Sequence, residues 1–432
     1  MMRTHYAKDV SAGLDGQQVK LAGWVHETRD LGGVKFLVLR DHSGLVQLTV
    51  KKKESAPELL DLVEKIVKET AVVATGTVKA SKIAPGGREV FPSSISVVGP
   101  VHGTVPFEVT GKVPADLDVR LDNRFIDLRR LETTAVFNIR STVMNAFREH
   151  LLSKNFQEIT PPCIVGTSTE GGTDLFPVVY FEKEAFLAQS PQLYKQLAVM
   201  GGMDKVFMTT PVFRAEKHNT TSHLNEITQM DIEMGFADHD DAMDVLSENA
   251  LFILESVAEK NKADLEKLGK PLQVPKEIPR FTYSQVVDAL NAKGYPISWG
   301  EDFSKEQEKE MPNALKTDTF IIYEWPTKVR SFYSMPQEDN PEVCNAYDFM
   351  FRGSEIASGA QRIHIPDLLV KQLKAKGLRP AAFEYYINAF RFGGIPHAGW
   401  SMGVERWVQS LCGLENIREA AMFPRDRHRL TP

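Results

Sequence analysis

The sequence predicts an α+β protein in two parts. A small β-barrel comes first, followed by a larger domain built on a mainly antiparallel sheet flanked by helices. Three observations predict it. Residues 1 to about 103 are short alternating segments separated by turn residues. Beyond them, helices with apolar residues every three or four positions are interleaved with apolar strands. At 432 residues the chain is long enough for two or three domains and a large buried core.

In the first part, QVKLAGWVHETRD, VKFLVLRDHSG, LVQLTVKKK and TAVVATGTVKAS read as strands, and Ala56 to Glu69 as a helix. Short strands with a helix after the third are the layout of a five-stranded OB-fold barrel, whose β face binds single-stranded nucleic acid. Phe36, Val38 and Arg40 alternate with Leu37 and Leu39, so Phe36 stands on the polar face. An aromatic there either packs the barrel or forms a platform for a base. Val101 to Asp122 carries Gly, Pro and mixed charge with little periodicity and reads as a hinge. The expected domain limits are 1–103, 104–125 and 126–432.

A long helix is expected from about Thr133 to Lys154, leading into FQEITPP, a strand stopped by two prolines. GTSTEGGT is a small-residue loop holding one carboxylate, Glu170. Ser190-Pro191 then turns the chain into a helix with Gln192 and Lys195 on one face. Phe207 to Met234 reads as an antiparallel hairpin with a long polar loop. Arg214 and Glu216 share a face on its first run, Asp231 and Glu233 on its return. Lys217, His218, Asn219 and His223 in the loop are donors suited to a triphosphate. A solvated hairpin with ordinary ion pairs would show the same residues.

His239 to Lys260 is an amphipathic helix, Asn261 to Pro279 a charged surface excursion, and Phe281 to Lys293 a further short helix. Thr319 to Pro326 and Val329 to Met335 read as strands. NAYDFMFRGSEIASGAQRIH sets Asp348, Glu355, Ser358 and Arg362 in strand-loop order. The two carboxylates are apt for Mg²⁺, a hard cation wanting oxygen ligands, or are ordinary ion-pair partners. Ala381 to Phe390 is a helix. GGIPHAGWSMGVERWVQSL follows, with Arg406 at a helix start, where backbone N–H groups also favour a phosphate.

Composition is that of an ordinary globular protein, 42% hydrophobic and 25% charged, and a net charge of −6 neither suggests nor excludes a nucleic-acid partner. Cys163, Cys344 and Cys412 lack metal spacing and fit a reducing compartment. The N-terminus has no apolar signal region and no apolar run reaches membrane-spanning length, so a soluble, cytoplasmic protein without a membrane partner is expected.

Taken together, these pieces resemble a known family. FQEITPP after a long helix is similar to motif 1 of the class II aminoacyl-tRNA synthetases, with Pro161 as its marker. The FRAE hairpin resembles motif 2 with Arg214, and GWSMGVERWVQSL resembles motif 3 with Arg406. The three stand in order over most of residues 126–432. An OB-like unit ahead of them is the arrangement of the subclass handling aspartate, asparagine and lysine. QSPQLYKQ and DFMFRGSEIASGAQR resemble the aspartyl-tRNA synthetases of the archaeal and eukaryotic kind.

The resemblance implies ATP-dependent activation of L-aspartate to an aspartyl-adenylate, then transfer to the terminal ribose of tRNA(Asp). It implies that Arg214 bridges the amino-acid carboxylate and the α-phosphate. Glu216 would hold the adenine amino group, His223 the β- and γ-phosphates, and Arg406 the γ-phosphate. Asp348, Glu355 and Ser358 would hold Mg²⁺. Lys195 and Arg362 would receive the substrate side-chain carboxylate, Ser190 and Gln192 would orient the substrate, and Glu170, Asp231 and Glu233 would lie near the substrate ammonium and the active-site carboxylate network. In the barrel, Phe36 would stack on the middle anticodon base, with Arg29 and Gln47 at its edge. A homodimer through motif 1 is also implied.

His26 and Pro85 stand where strict members of the family carry a tryptophan and a lysine. That pair resembles the non-discriminating type, which charges both tRNA(Asp) and tRNA(Asn) with aspartate and relies on an Asp-tRNA(Asn) amidotransferase downstream. Two alternatives stay open: an asparaginyl-tRNA synthetase, against which Lys195 argues, and an asparagine synthetase that charges no tRNA, against which the barrel argues.

Overall fold

Why the first 99 residues close on themselves is visible in their alternation. A computed structural model of the chain describes residues 2–166, 175–217 and 220–432. The strands β1 (Gln18–Asp30), β2 (Val34–Asp41) and β3 (Gly44–Lys51) precede helix α1 (Pro57–Lys65), and β4 (Ala71–Ala80) and β5 (Arg88–Gly99) follow it. They form a closed barrel in the order β1-β2-β3-β5-β4. Leu37, Leu39, Val46, Leu48 and Val50 fill its interior, each buried. The residues between them face outward, as period-2 alternation requires. Closure removes the sheet edges.

The chain divides into two compact units, residues 1–134 and 135–431. The expected hinge contains short helices, α2 (Leu117–Asp122) and α3 (Arg124–Asp127), before the long helix α4 (Leu131–Ser153). In the second unit the chain continues with β6 (Gln157–Glu158), β7 (Ile164–Val165), β8 (Pro177–Tyr180) and β9 (Lys183–Leu187). Helix α5 (Gln192–Met200) leads to the hairpin β10 (Lys205–Phe213) and β11 (Glu226–Gly235). Next come α6 (His239–Lys260), α7 (Lys262–Leu268), β12 (Arg280–Thr282), α8 (Tyr283–Ala292) and α9 (Lys305–Leu315). The chain ends through β13 (Thr319–Pro326), β14 (Val343–Phe351), β15 (Ser354–Gln361), α10 (Pro366–Ala375), α11 (Glu384–Arg391), β16 (His397–Gly403) and α12 (Val404–Cys412).

The large sheet has eight strands in the order β12-β13-β14-β15-β16-β11-β10-β6. It is antiparallel except at its edges, where β6 and β12 pair parallel. The mainly antiparallel sheet is as expected, and its edge strands β6 and β12 are short, of two and three residues. One face carries Ile232, Trp400, Met402, Tyr347 and Phe349 into a core closed by α4, α6 and α12. Burial of these large side chains removes about 25 cal/mol of unfavourable hydration per Å².

Two expectations are corrected. Val329 to Met335 is not a strand: it is a 3-10 turn over Thr327–Val329 and irregular chain, with one bridge from Ser334 to Arg362. Its apolar residues Phe332 and Tyr333 pack instead against α10 and α11, which satisfies burial without a ladder. Asn261 to Pro279 is not wholly irregular, because α7 occupies its first half.

Candidate active site

The other face of the large sheet is polar by the same alternation that makes the first apolar. Strand register sets Asp231, Ser401, Ser358 and Asp348 side by side across β11, β16, β15 and β14. Glu233 lies two residues beyond Asp231 on β11, on the same face. Ser401 and Ser358 of this row line a cavity of about 310 Å³ together with Ser190, Gln192, Arg214, Glu216, His223, Glu355, Arg362 and Arg406, among others, while Asp231 and Asp348 do not reach its wall.

At one end of the row two cations and two carboxylates are buried together. Lys195, fully buried, donates to Asp231 Oδ1 at 2.8 Å and to the Trp400 carbonyl at 3.2 Å, with Glu233 at 3.6 Å. Arg362 donates through Nε and Nη2 to the two Glu233 oxygens at 3.0 and 3.3 Å, and through Nη2 to the Gly399 carbonyl at 2.8 Å. Burial works to raise the Glu233 carboxyl, but Arg362 and Lys195 together hold it below the usual carboxylate range. Lys195 and the two carboxylates lie under the cavity wall, whereas Arg362 reaches it. Gly399 is required here: a side chain on it would meet the Ile232 carbonyl and a Glu233 carboxylate oxygen.

Arg214 and Glu216 do not sit within the hairpin strand, as the sequence reading has it. β10 stops at Phe213, and both follow it in irregular chain pinned by the Asn225 carbonyl to the Arg214 N–H at 2.9 Å and by Asn225 Nδ2 to the Arg214 and Glu216 carbonyls. Both still face the cavity. The loop polarity that made them stand out overrode strand alternation. His223 lies 3.7 Å from Glu216, and burial lowers its ring below the ordinary histidine value. Arg406 opens α12 and approaches Glu355 at 3.5 Å. Glu170, His218 and Asn219 lie outside the described residues.

At the opposite end, Asp348 is gripped by Arg330, Nη1 and Nη2 lying 2.9 and 2.6 Å from its oxygens, and Nη2 also reaches Ser358 Oγ at 2.9 Å. Burial nevertheless pushes the Asp348 carboxyl up to about 6, Arg330 opposing and Glu355 adding to the rise. Asp348, Glu355 and Ser358 are an all-oxygen set of the kind Mg²⁺ takes, although here Arg330 and Arg406 already supply positive charge to the two carboxylates. Arg330 is a residue that the sequence reading missed. It stacks on Trp325 at 4.6 Å from an irregular segment, where no periodic pattern singles it out.

In the barrel, register makes Arg29 and Phe36 direct neighbours, and sets Gln47 opposite Val38 on the same outer face of β1, β2 and β3. Gln47 Nε2 is shared with Glu89 at 3.4 Å and Thr49 at 3.3 Å. His26 sits at a β-bulge, where register shifts between Val25 and Glu27, and its Nδ1 lies 2.8 Å from Arg40 Nη1. Arg40 is itself buried, its Nη2 donating to both Glu69 oxygens at 2.9 and 2.7 Å. Pro85 is exposed at the start of a 3-10 turn, its carbonyl held by Arg88 at 2.6 Å. Among the described residues no helix is long and apolar enough to cross a membrane.

A closed five-stranded barrel joined to an antiparallel sheet, with an arginine after the hairpin and another opening the last helix, defines a class II synthetase scaffold with an OB-fold unit. Two family descriptions match accordingly: tRNA synthetases class II (D, K and N) over residues 116–427, and an OB-fold nucleic acid binding domain over 19–98. The chain belongs to the class II tRNA synthetases of the D, K and N group. It is 48% identical to the aspartate–tRNA(Asp/Asn) ligase of Methanosarcina barkeri, covering all of this chain and 99% of that protein. It is 45% identical to the aspartate–tRNA(Asp) ligase of Pyrococcus horikoshii, with both chains fully covered. The crystal structure of asparaginyl-tRNA synthetase from Pyrococcus horikoshii with asparaginyl-adenylate superposes with a TM-score of 0.94 at 34% identity, again over both whole chains.

Proposed function

We propose that this protein ligates L-aspartate to tRNA(Asp), and also to tRNA(Asn), through an aspartyl-adenylate made from ATP. The observation that carries the choice of aspartate is the buried cluster of Lys195, Arg362, Asp231 and Glu233. Arg362 spends Nε and Nη2 on Glu233 and Gly399 and keeps Nη1 without a partner among the described residues. A side-chain carboxylate entering the cavity meets that terminus and competes with Asp231 and Glu233 for Lys195. An asparagine amide brings no charge, and leaving a buried ion unmatched costs about 3–5 kcal/mol.

In the first step the α-carboxylate attacks the α-phosphorus of ATP and pyrophosphate leaves. Arg214, with no side-chain partner among the described residues, neutralises charge that develops there. Glu216 accepts from the adenine amino group, while His223 and Arg406 hold the outer phosphates. Asp348, Glu355 and Ser358 would hold Mg²⁺, which supplies further positive charge to the phosphates when bound. Positioning and charge account for the catalysis, since no covalent enzyme intermediate is needed. Glu170 would lie near the substrate ammonium.

Phe36 stacks on the middle anticodon base with Arg29 and Gln47 at its edge, and His26 with Pro85 relaxes the reading of the third. Relaxed charging implies an amidotransferase that converts Asp-tRNA(Asn). A homodimer is supported by exposed apolar residues after motif 1, Val179 at 93% and Phe181 at 80% exposure, where a monomer gains nothing by showing them. ATP–pyrophosphate exchange with aspartate and with asparagine tests the amino-acid choice: exchange driven by asparagine but not aspartate would overturn it.

A further inference from the structure

A buried chain of hydrogen bonds runs from a backbone carbonyl to the cavity wall. His397, fully buried, has Nδ1 2.8 Å from the Ile395 carbonyl and Nε2 2.8 Å from Gln196 Nε2. Gln196 Oε1 lies 3.0 Å from the Tyr386 hydroxyl and 3.1 Å from Gln192 Nε2. Gln196 and Tyr386 are fully buried, and Gln192 lines the cavity.

The polarity of this chain is forced from its far end. A carbonyl only accepts, so Nδ1 of His397 carries the ring proton. Burial holds the ring down to about 4, so it is neutral and Nε2 is a lone pair. Gln196 must therefore donate with its amide nitrogen and turn its oxygen to Tyr386 and Gln192. Both then donate to it, and Gln192 spends its amide nitrogen inward. Gln192 Oε1, without a partner among the described residues, is what faces the cavity.

We propose that Gln196, Tyr386 and His397 are positioning residues that lock Gln192 with its oxygen outward, as an acceptor for the α-ammonium of the amino-acid substrate. This rests on the reading of the cavity as an aspartate site. The chain explains why an amide, which alone could point either end at the substrate, presents one end only.

The test pairs aspartate with succinate, the same dicarboxylate without the amine, as competitive inhibitor of aspartate-dependent pyrophosphate exchange. Gln196→Met removes the lock. It should raise KM for aspartate roughly tenfold or more, a hydrogen bond to a charged group being at stake, and leave kcat and the Ki of succinate near the parent values. Gln196→Glu still accepts from Gln192 and Tyr386 and pairs with a protonated His397, so it should keep the parent KM. If Gln196→Met does not fold, Tyr386→Phe should separate the two constants in the same sense, to a smaller degree. Equal weakening of aspartate and succinate, or a Gln196→Glu protein that behaves as Gln196→Met does, would overturn the proposal. A parent protein whose exchange aspartate does not drive would overturn the reading of the site itself.

Discussion

Lys195→Met isolates the charge arithmetic of the aspartate site. In the parent, two cations face two carboxylates, with Lys195 2.8 Å from Asp231 and 3.6 Å from Glu233, all under 2% exposed. Without the ammonium, Asp231 retains, among the described residues, Ser401 Oγ at 3.2 Å, and Arg362 is the cation left beside the two buried anions there. Aspartate then adds a third. Removing one partner of a buried pair costs about 3–5 kcal/mol. At about 1.4 kcal/mol per decade, that is a loss on the order of 10²- to 10³-fold in kcat/KM for aspartate. The assay is ATP–pyrophosphate exchange with aspartate and with asparagine, beside thermal unfolding. Adding Asp231→Asn to Lys195→Met removes the orphaned charge and should recover most of the lost stability, but not the aspartate affinity. A loss below roughly tenfold, with discrimination against asparagine unchanged, would refute the reasoning.

Three further outcomes follow from the structure. Phe36→Ala should weaken tRNA charging by about 1–3 kcal/mol, the worth of one base stack, while pyrophosphate exchange, which needs no tRNA, stays at the parent level. His397 should add an acid slope to stability: the unfolded ring titrates near 6.5 and the folded one at about 4, so between those values the unfolded chain binds more protons and stability falls as pH drops. The slope is worth about 3 kcal/mol. Asp348, lifted to about 6, contributes the opposite slope from about 4 to 6, so the comparison is of denaturant unfolding for parent and His397→Asn across pH. Gly399→Ala should cost about 1–3 kcal/mol by overpacking and raise KM for aspartate, because its methyl would press on Glu233.

The barrel was legible because its strands alternate: Leu37 and Leu39 are buried inside while Phe36 and Val38 between them are partly exposed on the opposite face. Helix α6 was legible to the residue because Asp238 caps it through the Asp240 and Asp241 N–H groups. The row Asp231, Ser401, Ser358, Asp348 was not, since register between strands up to 170 residues apart is a tertiary property. Arg330, Gln196 and His397 were missed for the same reason. Each sits in an unremarkable local sequence, and its role exists only through partners such as Asp348, Gln192 and Ile395.

Aspartylation of two purified transcripts, tRNA(Asp) and tRNA(Asn), under identical salt tests the central claim most directly. Comparable kcat/KM on both is the expected result, with His26→Trp and Pro85→Lys together depressing only the tRNA(Asn) reaction. A preference for tRNA(Asp) of roughly a hundredfold, about 3 kcal/mol, would contradict the relaxed reading. Charging of neither transcript while ATP is consumed would contradict the ligation of aspartate to tRNA altogether.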